Sequence, residues 1–205
     1  ARGDFKQLTP VMEDTHFNSP QYLSMIFGKN VGEMKTNMRN DFTIDYYDTL
    51  INNKVDLKEE VREHSVDWKK AEKIICFRKK TIEKFNDKYL KMVGQDNMLY
   101  EGSNLRCTTN CLRKYNIYNN FYLTIATIDG DAITFENGLT LSREKVMKCF
   151  KLGVAITLYG AQGKSFTSFH YPEEDMLFMD ADNYSEDKAT RNAYTLISRI
   201  KNKFH

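Results

Sequence analysis

The sequence has little that would indicate a membrane-bound or disulfide-stabilised protein. No apolar run approaches the roughly 18 residues that span a bilayer, and the start, ARGDFK, has no apolar signal-peptide core. The four cysteines show no CxxC spacing, so reduced thiols and no structural metal are expected; they are Cys76, Cys107, Cys111 and Cys149. We therefore expect an intracellular chain, cytoplasmic or nuclear.

The sequence also lacks a strong excess of one charge. It has 30 Lys and Arg against 28 Asp and Glu, a net charge of +2, so net charge alone does not indicate a nucleic-acid-binding protein. Any phosphate contacts must be local. Hydrophobic and charged contents of 41% and 28% are ordinary for a soluble globular protein, and 205 residues suffice for one core and a small second module.

A nucleotide-binding P-loop is missing as well. The sequence GKS begins at Gly163, but the residue five positions earlier is Leu158, so the spacing GxxxxGK[ST] fails. The stretch from Val154 to Phe166 is instead an apolar strand followed by a glycine-bracketed turn. In α/β proteins a loop after a parallel strand is where ligands bind, because backbone N–H groups and polar side chains converge there. The polar residues of this loop are Gln162, Lys164 and Ser165.

Hydrophobic periodicity predicts alternating helices and strands. We expect helices at Pro20–Phe27, near Ile44–Ile51, at Lys80–Val93 and after the Ser185 N-cap, with one short helix between Val55 and Lys73. Strands are predicted at Ile74–Phe77, within Val154–Phe166 and at Asp175–Met179. Residues Met98–Phe150 alternate in short runs, with IDGD as a turn, and are predicted to be β-rich. Residues Asp180–Asp187 are expected to form a solvated acidic loop.

Four stretches match, in order, the motifs of one protein family. The matching residues are Gly3, Asp4, Gln7, Leu8, Pro10 and Val11 of GDxxQLxPV; Asn37 and Arg39 of LxxNxR; Thr157, Gln162, Gly163 and Ser165 of AxTxHKxQGxx[FL]; and Tyr194, Thr195, Leu196, Ser198 and Arg199 of YVALSR. In them the chain resembles the C-terminal portion, motif III to motif VI, of superfamily 1 DNA helicases of the RecD-like branch. An LRxTxN strand and a YN(G/N) pattern extend the match to Asn110, Tyr118, Asn119 and Asn120, where turn geometry is the first interpretation.

The resemblance implies a nucleotide site with five contributing residues. Gln7 would sense the γ-phosphate, Arg39 and Arg199 would act as catalytic arginine fingers, and Gln162 and Gly163 would line the nucleotide. Taken alone, Gln7 reads as a solvated turn residue and Arg39 as a surface charge. ATP and Mg²⁺ would be bound mainly by an upstream RecA-like domain, because Walker A and B motifs are absent. We expect this fragment alone to hydrolyse no ATP.

The resemblance also implies contacts with a single strand of DNA, with RNA as the alternative. Thr157 and Ser165 would hydrogen-bond phosphates, beside Lys164. The sequence departs from the family at Tyr159 and Gly160, where His and Lys are usual. Tyr159 is predicted either to stack on a base or to pack under the loop. Lys79 and Thr81 begin a predicted helix, whose N-terminus suits phosphate, although a solvated charge and an N-cap explain them equally well.

The predicted fold is α/β, a RecA-like parallel sheet flanked by helices with a small SH3-like β insertion. Residues 1–18 would end a first RecA-like domain, 19–97 and 151–205 would form the second, and 98–150 would hold the insertion. The implied function is ATP-dependent unwinding in DNA replication or repair. The resemblance implies a 5′-to-3′ direction, because the 3′-to-5′ branch generally has Lys where this sequence has the Gln of GAQG. The alternative is a non-catalytic nucleic-acid-binding or partner-docking module that kept the helicase fold.

Overall fold

The structure, a computed structural model, describes residues 42, 44–52, 55–110, 112–180 and 184–201. The predicted helix at Pro20–Phe27 and the residues Gln7 and Arg39 lie outside this range. By its contacts the chain divides into two units. Unit 1 comprises Ala1–Phe77 and Ala161–His205, and unit 2 comprises Arg78–Gly160. The predicted domain boundaries stay predictions.

The described elements follow one another in a mixed α/β order. They are α1 (Ile44–Ile51), α2 (Leu57–His64), β1 (Lys73–Cys76), α3 (Lys79–Met92), β2 (Asn104–Cys107), a 3₁₀ helix (Arg113–Tyr115), β3 (Tyr122–Asp129), β4 (Ala132–Phe135), β5 (Thr140–Ser142), α4 (Arg143–Cys149), β6 (Phe150–Leu152), β7 (Ala155–Thr157), α5 (Leu158–Ala161), β8 (Phe169–His170), a second 3₁₀ helix (Glu173–Met179) and α6 (Glu186–Ile197). The predicted helices and strands that correspond to α1, α2, β1, α3, β7 and α6 are confirmed.

Unit 1 is built around α6 and a parallel strand pair. β1 is a run of consecutive buried residues, and Lys73 and Ile74 pair in parallel with Phe169 and His170 of β8. Helix α6 is buried along most of its length and packs against α1, α2 and the second 3₁₀ helix. The sequence starts α2 at Asp56, whose carboxylate accepts hydrogen bonds from the first-turn N–H groups.

Unit 2 combines α3 with an antiparallel sheet of five strands in the order β5-β4-β3-β2-β6. Its core is made of the inward-facing residues, which occupy every second position along the strands. Examples are Leu105 and Cys107 of β2 and Ile133 and Phe135 of β4. The β3–β4 hairpin turns at Gly130, which has a φ of 54°. The predictions of a β-rich segment and of the IDGD turn are therefore confirmed. Helix α3 packs against β7.

The predicted strand at Asp175–Met179 is wrong, because this segment belongs to the second 3₁₀ helix. Met176 and Met179 are buried while Leu177 is 44% exposed, a spacing of three residues that suits a 3₁₀ helix and not a strand. The buried Asp175 carboxylate accepts a hydrogen bond of 2.7 Å from the Phe77 N–H. A polar side chain at the start of the apolar run is thus used inside the unit.

The acidic loop is less solvated than predicted at its first residue. Asp180 has a side chain that is 13% exposed and forms an ion pair of 2.7 Å with Lys58. Ser185 precedes α6 as expected, but its side chain makes no capping hydrogen bond. Within the part of the chain that the structure describes, no helix combines the length and the apolar character that crossing a membrane requires.

Candidate functional site

The segment that is predicted to bind single-stranded DNA begins where β7 ends, in unit 2. Thr157 Oγ1 accepts a hydrogen bond of 2.9 Å from the Gly160 N–H, so the chain turns directly into the short helix α5. Tyr159 lies on this helix and its side chain is 38% exposed. Of the two interpretations of Tyr159, packing under the loop suits this exposure less well than an accessible ring.

The second half of the segment belongs to unit 1. Gly163 is exposed with a φ of 76°, a conformation that glycine adopts without steric cost. Its neighbours Gln162, Lys164 and Ser165 are only partly exposed. The Lys164 N–H donates to the Ala161 carbonyl at 3.1 Å, so the turn closes on the end of α5.

Arg199, the predicted finger of motif VI, lies directly after α6 and is 1% exposed. Its Nε donates to the Thr195 carbonyl at 3.2 Å and its Nη2 to the Ser198 hydroxyl at 2.9 Å. Its Nη1 donates to the Lys164 carbonyl at 3.4 Å. A buried guanidinium needs such acceptors, and a cation is also favoured at a helix C-terminus. The structure thus brings Arg199 and Lys164 together.

Backbone bonds join the same two segments of unit 1. The Phe166 N–H donates to the Arg199 carbonyl at 2.8 Å, and the Lys201 N–H donates to the Phe166 carbonyl at 2.9 Å. Phe166 and Ile200 accordingly form a parallel bridge. Any displacement of Arg199 is therefore transmitted to residues 164–166, because both its backbone and its side chain hold them.

The two candidates on α3 differ in exposure. Lys79 is exposed in the first turn, whereas Thr81 is 1% exposed. The Thr81 side chain is therefore placed in the interior of unit 2, while the helix that carries both residues packs against β7. No side-chain hydrogen bond from the N-cap residue, Arg78, closes the helix start. The predicted roles of Gln7 and Arg39 lie outside the described residues and stay predictions.

The asparagine-rich turn has the geometry expected from its sequence. Asn120 has a φ of 68°, in the left-handed region that Asn tolerates, and the Asn119 N–H donates to Asn110 Oδ1 at 3.1 Å. The interpretation of this asparagine pair as a turn is confirmed. The structure adds Arg106, whose Nη1 donates to Asn120 Oδ1 at 2.8 Å. The sequence indicates Arg106 as a lone cation between two apolar residues of a strand. Because side chains alternate along a strand, the Arg106 side chain points away from the core.

No protein-family model matches the chain, and a search of curated proteins gives no match. Solved structures do match. One is Pif1 helicase from Bacteroides in complex with ADP-AlF3 and ssDNA, with 16% identity and a TM-score of 0.60 over 97% of this chain and 59% of that one. Another, described as DNA unwinding at forked dsDNA by two coordinating Pif1 helicases, has 18% identity and a TM-score of 0.58 over 97% and 57%.

These similarities establish the fold. A parallel sheet flanked by helices is similar to the RecA-like fold of Pif1 helicases, so the predicted fold class is confirmed. At 16% and 18% identity, the similarity to these structures shows the fold alone. The chain spans 59% and 57% of the lengths of these two structures.

Proposed function

We propose that the chain is the C-terminal part of an ATP-dependent superfamily 1 DNA helicase of the RecD-like branch. It supplies Arg199 and Arg39 to ATP bound between two RecA-like domains and grips single-stranded DNA for 5′-to-3′ translocation. The similarity in fold to a Pif1 helicase solved with ADP-AlF3 and ssDNA supports this function. The observation that carries it is the bond between Arg199 and the Lys164 carbonyl, which joins the predicted nucleotide contact to the predicted strand contact.

Three side-chain bonds that Arg199 forms to described residues suggest how nucleotide binding alters the grip on DNA. The bond to Lys164 is the longest at 3.4 Å, beside 3.2 Å and 2.9 Å for the other two. Hydrogen bonds weaken at such lengths, and a phosphate oxygen is a stronger, charged acceptor. Arg199 would therefore exchange the Lys164 carbonyl for the γ-phosphate, and residues 164–166 would shift with it.

The remaining contacts follow from exposure. Lys164 and Ser165 of unit 1, and Thr157, Tyr159 and Lys79 of unit 2, would contact the strand through accessible atoms. Thr81 would act through the position of its helix, because its side chain is buried. Gln162, Gly163 and Gln7 would line the nucleotide, with ATP and Mg²⁺ held mainly by an upstream RecA-like domain of the same protein.

A test uses a longer protein in which this chain is preceded by its Walker-motif segment. Arginine fingers contribute about 10³ to 10⁵ to turnover, so Arg39→Ala and Arg199→Lys should each remove most of the DNA-stimulated ATPase activity. Arg191→Ala is the matched control, because it removes an arginine of α6, one that pairs with Asp187 in the same helix and belongs to none of the matched motifs. Unchanged turnover in the finger variants would refute the proposal. Unwinding of forks with a 5′ or a 3′ tail tests the direction.

A non-catalytic module is the second candidate, and the burial of Arg199 is the observation that favours it. A guanidinium that is 1% exposed and bonded to carbonyls of its own chain stabilises a fold without any nucleotide. That role predicts that Arg199→Lys lowers the melting temperature and leaves turnover per folded molecule unchanged. Measuring both quantities on the same variant separates the two functions.

A further inference from the structure

Residues 112–121 form a surface segment of unit 2 that we name the basic-aromatic loop. Leu112 and Ile117 are its buried anchors, at 0% and 1% exposure. Between and after them the loop exposes two cations and three aromatic side chains, which are Arg113, Lys114, Tyr115, Tyr118 and Phe121. Exposed aromatic rings interleaved with cations are typical of surfaces that bind single-stranded nucleic acid.

The charge along this part of the sequence is of one sign. No Asp or Glu occurs between Glu101 and Asp129, although the chain has 28 acidic residues, and the same stretch contains Arg106, Arg113 and Lys114. A nearly neutral protein therefore has a cationic segment here. Such a segment attracts a polyanion and disfavours a basic partner.

Tyr118 and Phe121 are the first and fourth residues of one β-turn. The Phe121 N–H donates to the Tyr118 carbonyl at 3.0 Å, and Asn120 supplies the positive φ of 68° at the third position. Their side chains are 48% and 43% exposed. Neither ring contacts another aromatic ring within the described ranges. By contrast, Lys114 and Lys145 lie over the Tyr115 ring at 4.8 and 5.9 Å.

Hydrogen bonds hold this turn on strand β2. The Asn120 N–H donates to the Cys107 carbonyl and the Cys107 N–H donates to the Phe121 carbonyl, each at 2.8 Å. The Asn119 N–H bonds Asn110 Oδ1. Two large rings on a fixed turn lose little conformational freedom when a ligand stacks on them.

Arg106 lies under the turn with unused capacity for an anion. Its Nη1 bonds Asn120 Oδ1, but its Nε is buried and has no hydrogen-bond partner in the described part of the chain. Among those residues it forms no ion pair with a carboxylate. In the sheet it pairs with Tyr122 on one side and Lys151 on the other. A cation whose carboxylate partner is missing suits a phosphate.

The turn lies beside the predicted strand-binding segment of the same unit. A Cβ added at Gly160 would be 3.9 Å from Asn120 Oδ1 and 3.1 Å from Thr157 Oγ1. The exposed ring of Tyr159 is the next residue along the chain. Gly160 and Asn120 therefore lie side by side, and Tyr118, Phe121 and Tyr159 are each within two residues of one of them.

We propose that the basic-aromatic loop is a second contact for single-stranded DNA, in which Tyr118 and Phe121 stack on bases and Arg106 binds a phosphate. The inference rests on the proposed function and extends it, because none of these residues belongs to the strand contacts predicted from the motifs. It places base stacking on the β-rich unit, at the asparagine turn whose sequence first indicates turn geometry.

The test measures binding of the 205-residue chain to a fluorescent 16-mer of thymidylate and to an abasic 16-mer of the same charge. Stacking on one base is worth about a fivefold to a hundredfold change in affinity, so Tyr118→Ala and Phe121→Ala should each weaken thymidylate binding by that factor. Binding of the abasic strand should stay unchanged. Arg106→Gln should lower the salt slope of binding by about 0.7.

Matched variants separate stacking from other causes. Met92→Ala removes an equally exposed apolar side chain (47%) of unit 2 and should bind like the wild type. Phe121→Trp should bind normally and Phe121→Leu should not, because leucine keeps apolar area without a ring. The melting temperature of each variant is measured as well, so that binding is compared only between folded proteins. Oligouridylate in place of thymidylate tests whether RNA is bound equally.

The possible failures are distinguishable. A wild-type chain that binds neither strand would refute the proposed function and this inference with it. A wild-type chain that binds thymidylate while the Tyr118 and Phe121 variants bind equally well would refute this inference alone. Full binding by Phe121→Leu, or equal losses on thymidylate and abasic strands, would also overturn the assignment of base stacking.

Discussion

Substitution of Gly153 by alanine should destabilise unit 2 through a steric conflict. A Cβ at this position would lie 2.8 Å from Asn104 Oδ1, 2.9 Å from Tyr122 Cε1 and 3.0 Å from the Asn104 carbonyl oxygen. Carbon atoms in proteins do not approach so closely, so the neighbours must move. The side-chain amide can rotate, but the Asn104 carbonyl is fixed by its 2.8 Å bond from the Gly153 N–H.

The expected cost follows from this geometry. Overpacking a well-packed position costs about 1 to 3 kcal/mol. For a chain of this length, each kcal/mol lowers the melting temperature by about 2 to 4 °C. Gly153→Ala should therefore lower the melting temperature by about 2 to 12 °C. Tyr122 should report the conflict directly, because burial raises the pKa of its phenol to about 12 and a displaced ring would titrate at lower pH.

Thermal unfolding followed by circular dichroism measures the loss, with Lys151→Ala on β6, the strand that ends just before Gly153, as the control. Lys151 is exposed, so its substitution should change stability by less than about 0.5 kcal/mol. The double variant Asn104→Ala/Gly153→Ala should regain part of the loss, because the nearest clashing atom is gone. If Gly153→Ala unfolds at the same temperature as Lys151→Ala, the steric reasoning is refuted.

Three further predictions concern unit 1. Asp175→Ala should cost about 1 to 3 kcal/mol in urea unfolding, because the Phe77 N–H loses its acceptor. Cys76 should resist iodoacetamide at pH 8 in the folded chain, because burial raises the pKa of its thiol, and mass spectrometry should find it unlabelled. Glu173→Gln should lower stability at pH 7 by an amount that shrinks as the pH falls below about 4.5, because the hydrogen bond from Arg62 lowers the pKa of Glu173.

The sign of the last effect is fixed by linkage. A carboxylate whose pKa is lower in the folded state stabilises above its unfolded value, about 4.5, and the contribution disappears as the pH falls through the folded value. Because the pair is exposed, 1 M salt should also remove the difference. A difference that stays constant as the pH falls below about 4.5 would contradict the ion-pair explanation. The control for Asp175→Ala is Asp175→Asn, which keeps an acceptor oxygen. The control for Cys76 labelling is the chain unfolded in urea, in which the thiol should react.

Much of the fold could be predicted because local patterns agreed with packing. The run Ile74–Cys76 is buried on consecutive residues, as expected of a parallel strand, and α3 ends at Gly94, whose φ is 71°. The error at Asp175–Met179 arose because a short apolar run does not distinguish a strand from a helical turn. What decides there is the bond from Phe77 to Asp175, a tertiary contact between distant residues.

The sequence proposes residues for the candidate site but does not give their arrangement. Motif spacing indicated that Arg199 matters, but only packing shows that its guanidinium is buried against the Lys164 carbonyl. Similarly, the asparagine pair indicated a turn, while the exposure of Tyr118 and Phe121 depends on Ile117 being the residue that anchors the loop. Which aromatic side chains face solvent is a property of the assembled sheet, and periodicity in a loop does not report it.

The interrupted course of unit 1 has a consequence for how the polypeptide matures during translation. Unit 2 is one unbroken stretch, Arg78–Gly160, whereas unit 1 needs segments from both sides of it. β1 meets β8 only after Phe169 has left the ribosome, and α6 follows later still. Ribosome-bound chains whose residues up to about 165 have emerged from the exit tunnel should therefore already contain a protease-resistant sheet, while α1 and α2, which pack on α6, are still cleaved.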